Sequence, residues 1–311
     1  MTTSTASRRL LLAGGGGGLL GRALLEQVAP SWTIRSVHRH PSVRERELGV
    51  EWVARDLADV HTWDALLDSV DVVVNVAWYR WGSEARFRDL HDALLRLVDA
   101  AHRRGVPIVH VSVPPAPDRL ERRLPYLTYK RRVDDAVRSG GGPYSIVRPT
   151  LMFGAGDVLL GVMLRAIRTY GFFPMFGDGS YRISPVSSHD VARLVGRLLE
   201  GPSRSTLDLG GPGAFRYRDV TDRMFALLGR RPRYWSLSAR GSVRLARLMQ
   251  SLRSGKLYAY EVEWLLSDTL ALPRSPRMDW PMERVEPYLR SEVSRLTGES
   301  APDLGPLPER G

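Results

Sequence analysis

Tyr126 and Lys130 stand four residues apart, the separation that brings two side chains onto one face of a helix. A phenol beside an ammonium can pass a proton to or from a carbonyl or alcohol oxygen, with the lysine lowering the phenol's pKa and holding ribose hydroxyls. Composition sharpens the pair. Of 45 lysines and arginines only Lys130 and Lys256 are lysine, so a flexible point charge stands where a planar guanidinium would not serve. Ser112 closes the strand-like run Ile108 to Ser112 that precedes this pair.

A second group lies near the start. In Leu10 to Leu25 (LLLAGGGGGLLGRALL) an apolar run meets five glycines and continues with a helical pattern. Such a turn lets backbone approach a pyrophosphate, and the N–H groups of the following helix, at Leu19 and Leu20, face the anion. The spacing of Gly15, Gly18 and Gly21 is G-x-x-G-x-x-G. The chemistry expected of the two groups together is hydride transfer between a nicotinamide cofactor and a small carbonyl or alcohol.

The elements that must position these groups follow in order. Leu10 to Ala13, Trp32 to Val37, Val50 to Ala54, Asp71 to Ala77, Ile108 to Ser112 and Pro143 to Thr150 read as strands alternating with helices, which predicts an α/β fold with a doubly wound parallel sheet of about seven strands. Asp56, Leu57, Asn75 and Ala77 fall at strand ends, where a dinucleotide lies in such sheets. After the second strand comes His38-Arg39-His40 rather than an acid. With Arg39 there, and Arg35 and Arg44 nearby, NADP is the expected cofactor in preference to NAD. Trp78, Tyr79 and Trp81 follow the fourth strand and could wall a pocket for an aromatic or apolar substrate.

Composition limits the alternatives. A net charge of +11 would ordinarily raise nucleic acid as a partner, but the excess is almost all arginine and no nucleic-acid motif accompanies it, so none is expected. The absence of cysteine excludes disulfides and thiolate metal sites, and no metal is expected. Ser7-Arg8-Arg9 before an apolar run resembles a twin-arginine export signal, yet Arg22 and Glu26 break the run and no A-x-A site follows. The segment is therefore read as part of the fold, the location as cytoplasmic, and the protein as a monomer or homodimer.

At Arg148-Pro149-Thr150-x-x-Phe153-Gly154, taken with the glycine turn, Asp56-Leu57, Val111-Ser112 and Tyr126/Lys130, the chain resembles the NAD(P)-dependent epimerase/dehydratase family of the short-chain dehydrogenase/reductase superfamily. The likeness is closer to its atypical, NmrA-like branch, which includes an accessory subunit of respiratory complex I. Pro174 to Gly179, Ser184 to Ala192 and Leu207 to Gly211 extend it, so that it covers about Arg9 to Arg233. The resemblance implies that Gly15, Gly18 and Gly21 hold the pyrophosphate, Arg39 the 2′-phosphate and Asp56 the adenine. It puts Tyr126 and Lys130 on the nicotinamide side and Pro149 and Thr150 beside the cofactor. It also implies a hydroxyl just after the fifth strand that orients the substrate oxygen, here Ser112, but this Ser departs from the pattern in being followed by Val113-Pro114-Pro115 and only a short gap to Tyr126. That departure keeps open an alternative, a non-catalytic NADP(H)-binding sensor or assembly protein.

Residues 1–150 are read as the dinucleotide domain and 151–297 as mainly a smaller mixed substrate lobe, with 183–211 returning to the sheet and 298–311 a disordered tail. The active cleft is expected between the two parts. Phe153 and Phe176 could complete an apolar pocket, whereas His189 at a helix start reads as capping and packing. Apolar residues at Leu245, Leu248, Met249 and Leu252 define one helical face over Val243 to Leu252, flanked by arginines. This basic helix could touch an anionic membrane surface weakly.

Overall fold

The apolar runs fold as strands buried on both sides. In the computed structural model, which describes residues 8–61, 63–80, 82–157, 159–251 and 258–309, the chain begins β1 (Arg9–Ala13), α1 (Leu19–Val28), β2 (Thr33–His38), α2 (Val43–Glu47), β3 (Glu51–Ala54), β4 (Val72–Asn75), α3 (Glu84–Arg103) and β5 (Ile108–Val111). It continues with α4 (Asp118–Arg123), α5 (Pro125–Ser139), β6 (Tyr144–Pro149), β7 (Met152–Phe153), α6 (Leu160–Tyr170), β8 (Phe173–Phe176), β9 (Arg182–Ile183), β10 (Val186–Ser187), α7 (Ser188–Leu198) and β11 (Ser205–Leu209). Last come β12 (Phe215–Arg216), α8 (Tyr217–Leu227), β13 (Tyr234–Leu237), α9 (Ala239–Ser251), α10 (Ala259–Leu265) and α11 (Val285–Thr297).

A seven-stranded parallel sheet runs in the order β11-β6-β5-β4-β1-β2-β3. The chain builds outward from β1 to β3 and then returns to the other side of β1 at β4. That reversal puts the switch point between β1 and β4, where open α/β sheets bind ligands beyond the carboxyl ends of their strands. The register pairs Ala13 with Asn75 there. The strands are nearly continuous apolar sequence because helices cover both faces. On one face Leu11, Val37, Val73 and Ile146 pack with Leu90, Leu94 and Leu97 of α3 and Val133 and Val137 of α5. Elsewhere in the same unit α1 packs on α7.

The chain divides into two units. The first comprises 1–113, 121–148 and 188–207 and carries most of the sheet; the second comprises 114–120, 149–187 and 208–311. Within the second, β8 pairs with β13 and β7 with β10 in parallel, and β9 pairs antiparallel with β12. Tyr217, Phe225 and Phe153 are its largest fully buried side chains. Asp157 accepts from the N–H groups of Leu159, Leu160 and Gly161 and so caps α6.

Two features differ from the sequence reading. Residues 298–309 are anchored rather than disordered, because Leu307 is buried and its N–H donates to Glu286 Oε1 at 2.8 Å, while Arg223 binds the carbonyls of Gly305 and Pro306. The run Glu261 to Leu266 starts its helix two residues earlier, at Ala259, where Tyr258 and Glu261 form a capping box. No helix among the described residues is long and apolar enough to cross a membrane.

Candidate nucleotide site and its buried polar core

The glycine turn has the geometry a pyrophosphate needs. Gly15 takes φ +65°, and a Cβ there would meet the His38 ring at 2.3 Å. At Gly21 a Cβ would lie 2.2 Å from the Gly15 carbonyl oxygen, so this glycine is what lets α1 pack against the turn. Gly17 and Gly18, in contrast, face open space, with nothing within 4 Å of a Cβ at either. Gly18 is the N-cap of α1, makes no side-chain cap hydrogen bond, and no acid occupies the first turn. The N–H groups at Leu19 and Leu20 have no intrahelical partners, so an uncapped helix terminus opens onto vacant volume. These residues fit a dinucleotide diphosphate.

A buried acid, Glu45 of α2, lies under the glycine turn beside His38 of β2. Its Oε1 accepts from Gly16 N at 2.9 Å and Ser36 Oγ at 2.8 Å and lies 2.8 Å from His38 Nε2. Oε2 accepts from the Ser42 N–H and hydroxyl. Burial alone would raise the carboxyl, but His38, Ser42, Gly16 and Ser36 outweigh it and hold it at about 2. The signal was present in sequence as the capping box Ser42-x-x-Glu45. A carboxylate whose folded pKa is depressed contributes stability that is complete above the unfolded value and is lost as pH falls toward the folded one. Wild-type stability should therefore decline between about pH 4.5 and pH 2 by about 3 kcal/mol from this group. Glu45→Gln should flatten that part of an acid denaturation curve and lower neutral-pH stability; an unchanged curve would show that the glycine loop does not depend on Glu45.

Of the arginines near β2, Arg35 is committed to Glu51 and the Leu66 carbonyl, and Arg44 to Glu47. Arg39 stays 55% exposed, with Nε 3.7 Å from Asp56 Oδ2. Asp56 Oδ1 accepts from Ala58 N and, at 2.6 Å, from the Tyr79 hydroxyl. Burial opposes its ionisation, but Tyr79, the Ala58 N–H, Arg39 and Arg86 hold the carboxyl below its usual range. Burial and Asp56 push the Tyr79 phenol up to about 12. Tyr79 thus sits with Asp56, under the Arg86 guanidinium at 4.1 Å, while Leu57 is buried in the core beneath.

Tyr126 and Lys130 do share one face of α5. Tyr126 is half-buried, its ring edge-on to Trp78 at 6.1 Å and to Phe87 at 6.0 Å. Trp78 and Phe87 stack at 6.3 Å. Phe87 was not singled out in sequence because its spacing in α3 reads as core. Lys130 is only 4% exposed; its Nζ donates to the Val111 carbonyl at 3.2 Å and lies 5.1 Å from the Trp78 ring centre. Burial lowers its pKa to about 7, partly opposed by Asp134. Ser112 is buried, its hydroxyl beside the Asp134 carboxylate and its N–H on the Val147 carbonyl.

Beneath Lys130 lies a charged network that sequence reasoning missed. One turn along α5, Asp134 is fully buried; its Oδ2 accepts from Arg148 Nε at 3.1 Å and Nη2 at 2.8 Å and from Arg131 Nη1 at 2.7 Å. His110 Nε2 stands 3.3 Å from Oδ1. Asn75 Oδ1 accepts from Ala77 N, which turns its amide nitrogen to His110 Nδ1 at 3.0 Å. Nδ1 is then the acceptor and Nε2 carries the proton toward Asp134. Burial would raise the Asp134 carboxyl, but His110, the Ser112 hydroxyl and Arg148 hold it far below the usual range. Burial likewise lowers His110, which stays neutral. The i, i+4 spacing of Lys130 and Asp134 was visible; the partners on β5 and β6 were not.

The remaining candidates lie elsewhere. Pro149 ends β6, and Thr150 spends its N–H on Leu209 and its hydroxyl on the Ser184 carbonyl, within the second unit. Phe153 packs on Tyr288 at 5.3 Å and Phe176 on Phe173 at 6.4 Å, both buried in that unit. Ala77 is buried at the end of β4. His189 opens α7, 3.9 Å from Glu26. Trp81 lies outside the described residues.

Comparison with known proteins agrees with this geometry. Residues 15–202 match the family described as NAD(P)H-binding. The chain is 28% identical over 191 residues to the mitochondrial NADH dehydrogenase [ubiquinone] 1 alpha subcomplex subunit 9 of Arabidopsis thaliana, a match covering 58% of this chain and 46% of the plant protein, so it spans under half the length of that relative. It is 26% identical over 226 residues to a ceramide reductase of Caulobacter vibrioides, covering 69% of each. Its fold superposes on the NADPH complex of an Escherichia coli NADPH-dependent quinone oxidoreductase with a TM-score of 0.71 at 18% identity, over 92% of this chain and 99% of that one. Sugar-nucleotide epimerases share the fold too. The chain belongs to the family described as NAD(P)H-binding.

Proposed function

We propose that this protein is an NADP(H)-dependent oxidoreductase or epimerase acting on a small apolar or aromatic carbonyl or alcohol. The observation that carries the reading is Tyr126 held by Trp78 and Phe87 one helical turn from the buried Lys130. When bound, the nicotinamide supplies or accepts the hydride. Tyr126 gives a proton to the substrate oxygen or takes one from it, and the Lys130 ammonium favours the phenolate. Trp78 and Phe87 exclude water from that oxygen. Ser112 is the third member if its hydroxyl turns toward the substrate. NADPH oxidation with a panel of apolar ketones, aldehydes and quinones, followed by nicotinamide absorbance, tests this. Turnover of none of them by protein that binds NADPH would contradict it.

The exposed Arg39 supports NADP over NAD, since a guanidinium there can pair with a 2′-phosphate. Arg39→Ser should weaken NADPH binding by roughly tenfold or more, as expected for a charge-assisted hydrogen bond, and leave NADH binding nearly unchanged. Equal losses for both would place Arg39 outside the 2′-phosphate site.

A second reading rests on the buried Ser112 hydroxyl. It is a non-catalytic NADP(H)-binding sensor or assembly protein, in keeping with the likeness to a complex I subunit. It predicts retained NADPH affinity and a protein partner, with indifference to Tyr126→Phe.

A further inference from the structure

Between Asp222 and Glu261 the chain carries no carboxylate, yet it holds eight arginines and Lys256. The second unit exposes large apolar side chains along this stretch. In the β8/β13 ribbon, Tyr234 pairs with Phe173 and Trp235 with Pro174, and side chains alternate between the faces. Phe173 is buried, and the Tyr234 hydroxyl turns in to Asp222 and Thr221. The opposite face therefore carries Trp235, 54% exposed, and Phe172, 42% exposed just before β8. Tyr170, 69% exposed, extends it with its ring 6.2 Å from Phe172.

The arginine-rich turn before β13 is tied to the segment that carries these rings. Arg230 Nη1 donates to the Ile167 carbonyl at 2.8 Å, and Phe173 N donates to the Arg233 carbonyl at 2.9 Å, which ties residues 230–233 to 167–173. Next in the chain, α9 buries Ser242 and Ala246 and exposes Arg240, Arg244 and Leu248; of the residues that define its apolar face in sequence, Leu252 lies outside the described ones. Exposed aromatic rings beside a strongly cationic stretch of chain, in which Arg247 pairs with Glu263 of α10, match a membrane interface. There, rings settle at headgroup depth, arginine stems lie along apolar surface with their heads in the headgroup layer, and each cation near anionic lipid adds attraction. Phe172 and Leu248 offer only apolar surface, which a bilayer absorbs and a polyphosphate strand does not.

We propose that the β8/β13 ribbon and α9 of the second unit form a docking surface for an anionic lipid bilayer. This does not depend on whether the nucleotide site turns over a substrate. Flotation of the full chain with phosphatidylcholine vesicles, with and without phosphatidylglycerol, is the test. The expected result is recovery with the phosphatidylglycerol vesicles at low salt, little with phosphatidylcholine alone, and release at high salt. Arg240→Glu with Arg244→Glu, and separately Phe172→Ser with Trp235→Ser, should each reduce partitioning on the order of tenfold or more while NADPH affinity stays at the wild-type value. The proposal is overturned by absence of vesicle binding, by equal binding to both vesicle types, by wild-type partitioning of both double variants, or by capture of single-stranded RNA in place of vesicles.

Discussion

Turnover falls on the order of 10²- to 10⁴-fold when Tyr126 is replaced by Phe, the range expected for removing a positioned acid–base group. NADPH affinity stays nearly intact. The substitution keeps the ring, so the edge contacts with Trp78 and Phe87 survive. The loss then belongs to the hydroxyl alone, and it should appear in kcat more than in KM. Lys130 adds a signature in pH. Its pKa of about 7 means that the ammonium is lost as pH rises through neutrality, so activity that needs the charge declines above about pH 7 rather than near the usual lysine value. Unfolded chain binds that proton up to its ordinary, higher pKa, so over the same interval stability rises with pH while activity falls. A Tyr126→Phe protein with wild-type turnover would remove Tyr126 from the reaction and favour the non-catalytic reading.

Asp134→Ala should be the most damaging single substitution to the fold. It removes the carboxylate that Arg148 and Arg131 share, with Arg148 buried at the β6 end of the network and Arg131 keeping its second carboxylate, Glu121. Breaking a buried ion pair by removing one partner costs about 3–5 kcal/mol, which lowers Tm by roughly 10 °C in a chain of this size. The neighbouring Asp135 is a built-in control. It is exposed and pairs only at the surface with Arg138, so Asp135→Ala should change stability by less than about 0.5 kcal/mol. Similar melting curves for the two variants would mean that the network does not support the sheet.

Period and composition made the sheet legible. Leu10 to Ala13 and Asp71 to Ala77 are apolar enough to require cover on both faces, and Gly15, Gly18 and Gly21 could serve only a tight turn into a helix. The Tyr126 to Lys130 spacing was equally plain, because a helix fixes what four residues apart means. What stayed hidden was contact between distant segments. Glu45 reaches the glycine turn from α2, 29 residues beyond Gly16, and nothing in the order His38-Arg39-His40 announces it. His110, Asp134 and Arg148 meet only because β5, α5 and β6 are adjacent in space. Phe153 and Phe176 looked like pocket residues for the same reason that they are core: large apolar side chains serve both uses, and burial decides between them. Leu307 shows the converse, since its buried side chain, its N–H on Glu286 and the Arg223 guanidinium on two neighbouring carbonyls hold a tail that composition alone marked as disordered.

The most direct measurement is calorimetric titration of the protein with NADPH, NADP, NADH and NAD, beside a Gly18→Asp variant. Gly18 has an extended backbone and open space where a side chain would go, and aspartate is a favourable N-cap, so the variant should fold at least as well as the wild type. It also puts a negative charge where the diphosphate would sit. One-to-one binding of the phosphorylated nucleotides by the wild type, abolished in a fully folded Gly18→Asp protein, is the result predicted. Binding of none of the four nucleotides, or undiminished binding by the variant, would contradict the assignment of the glycine turn.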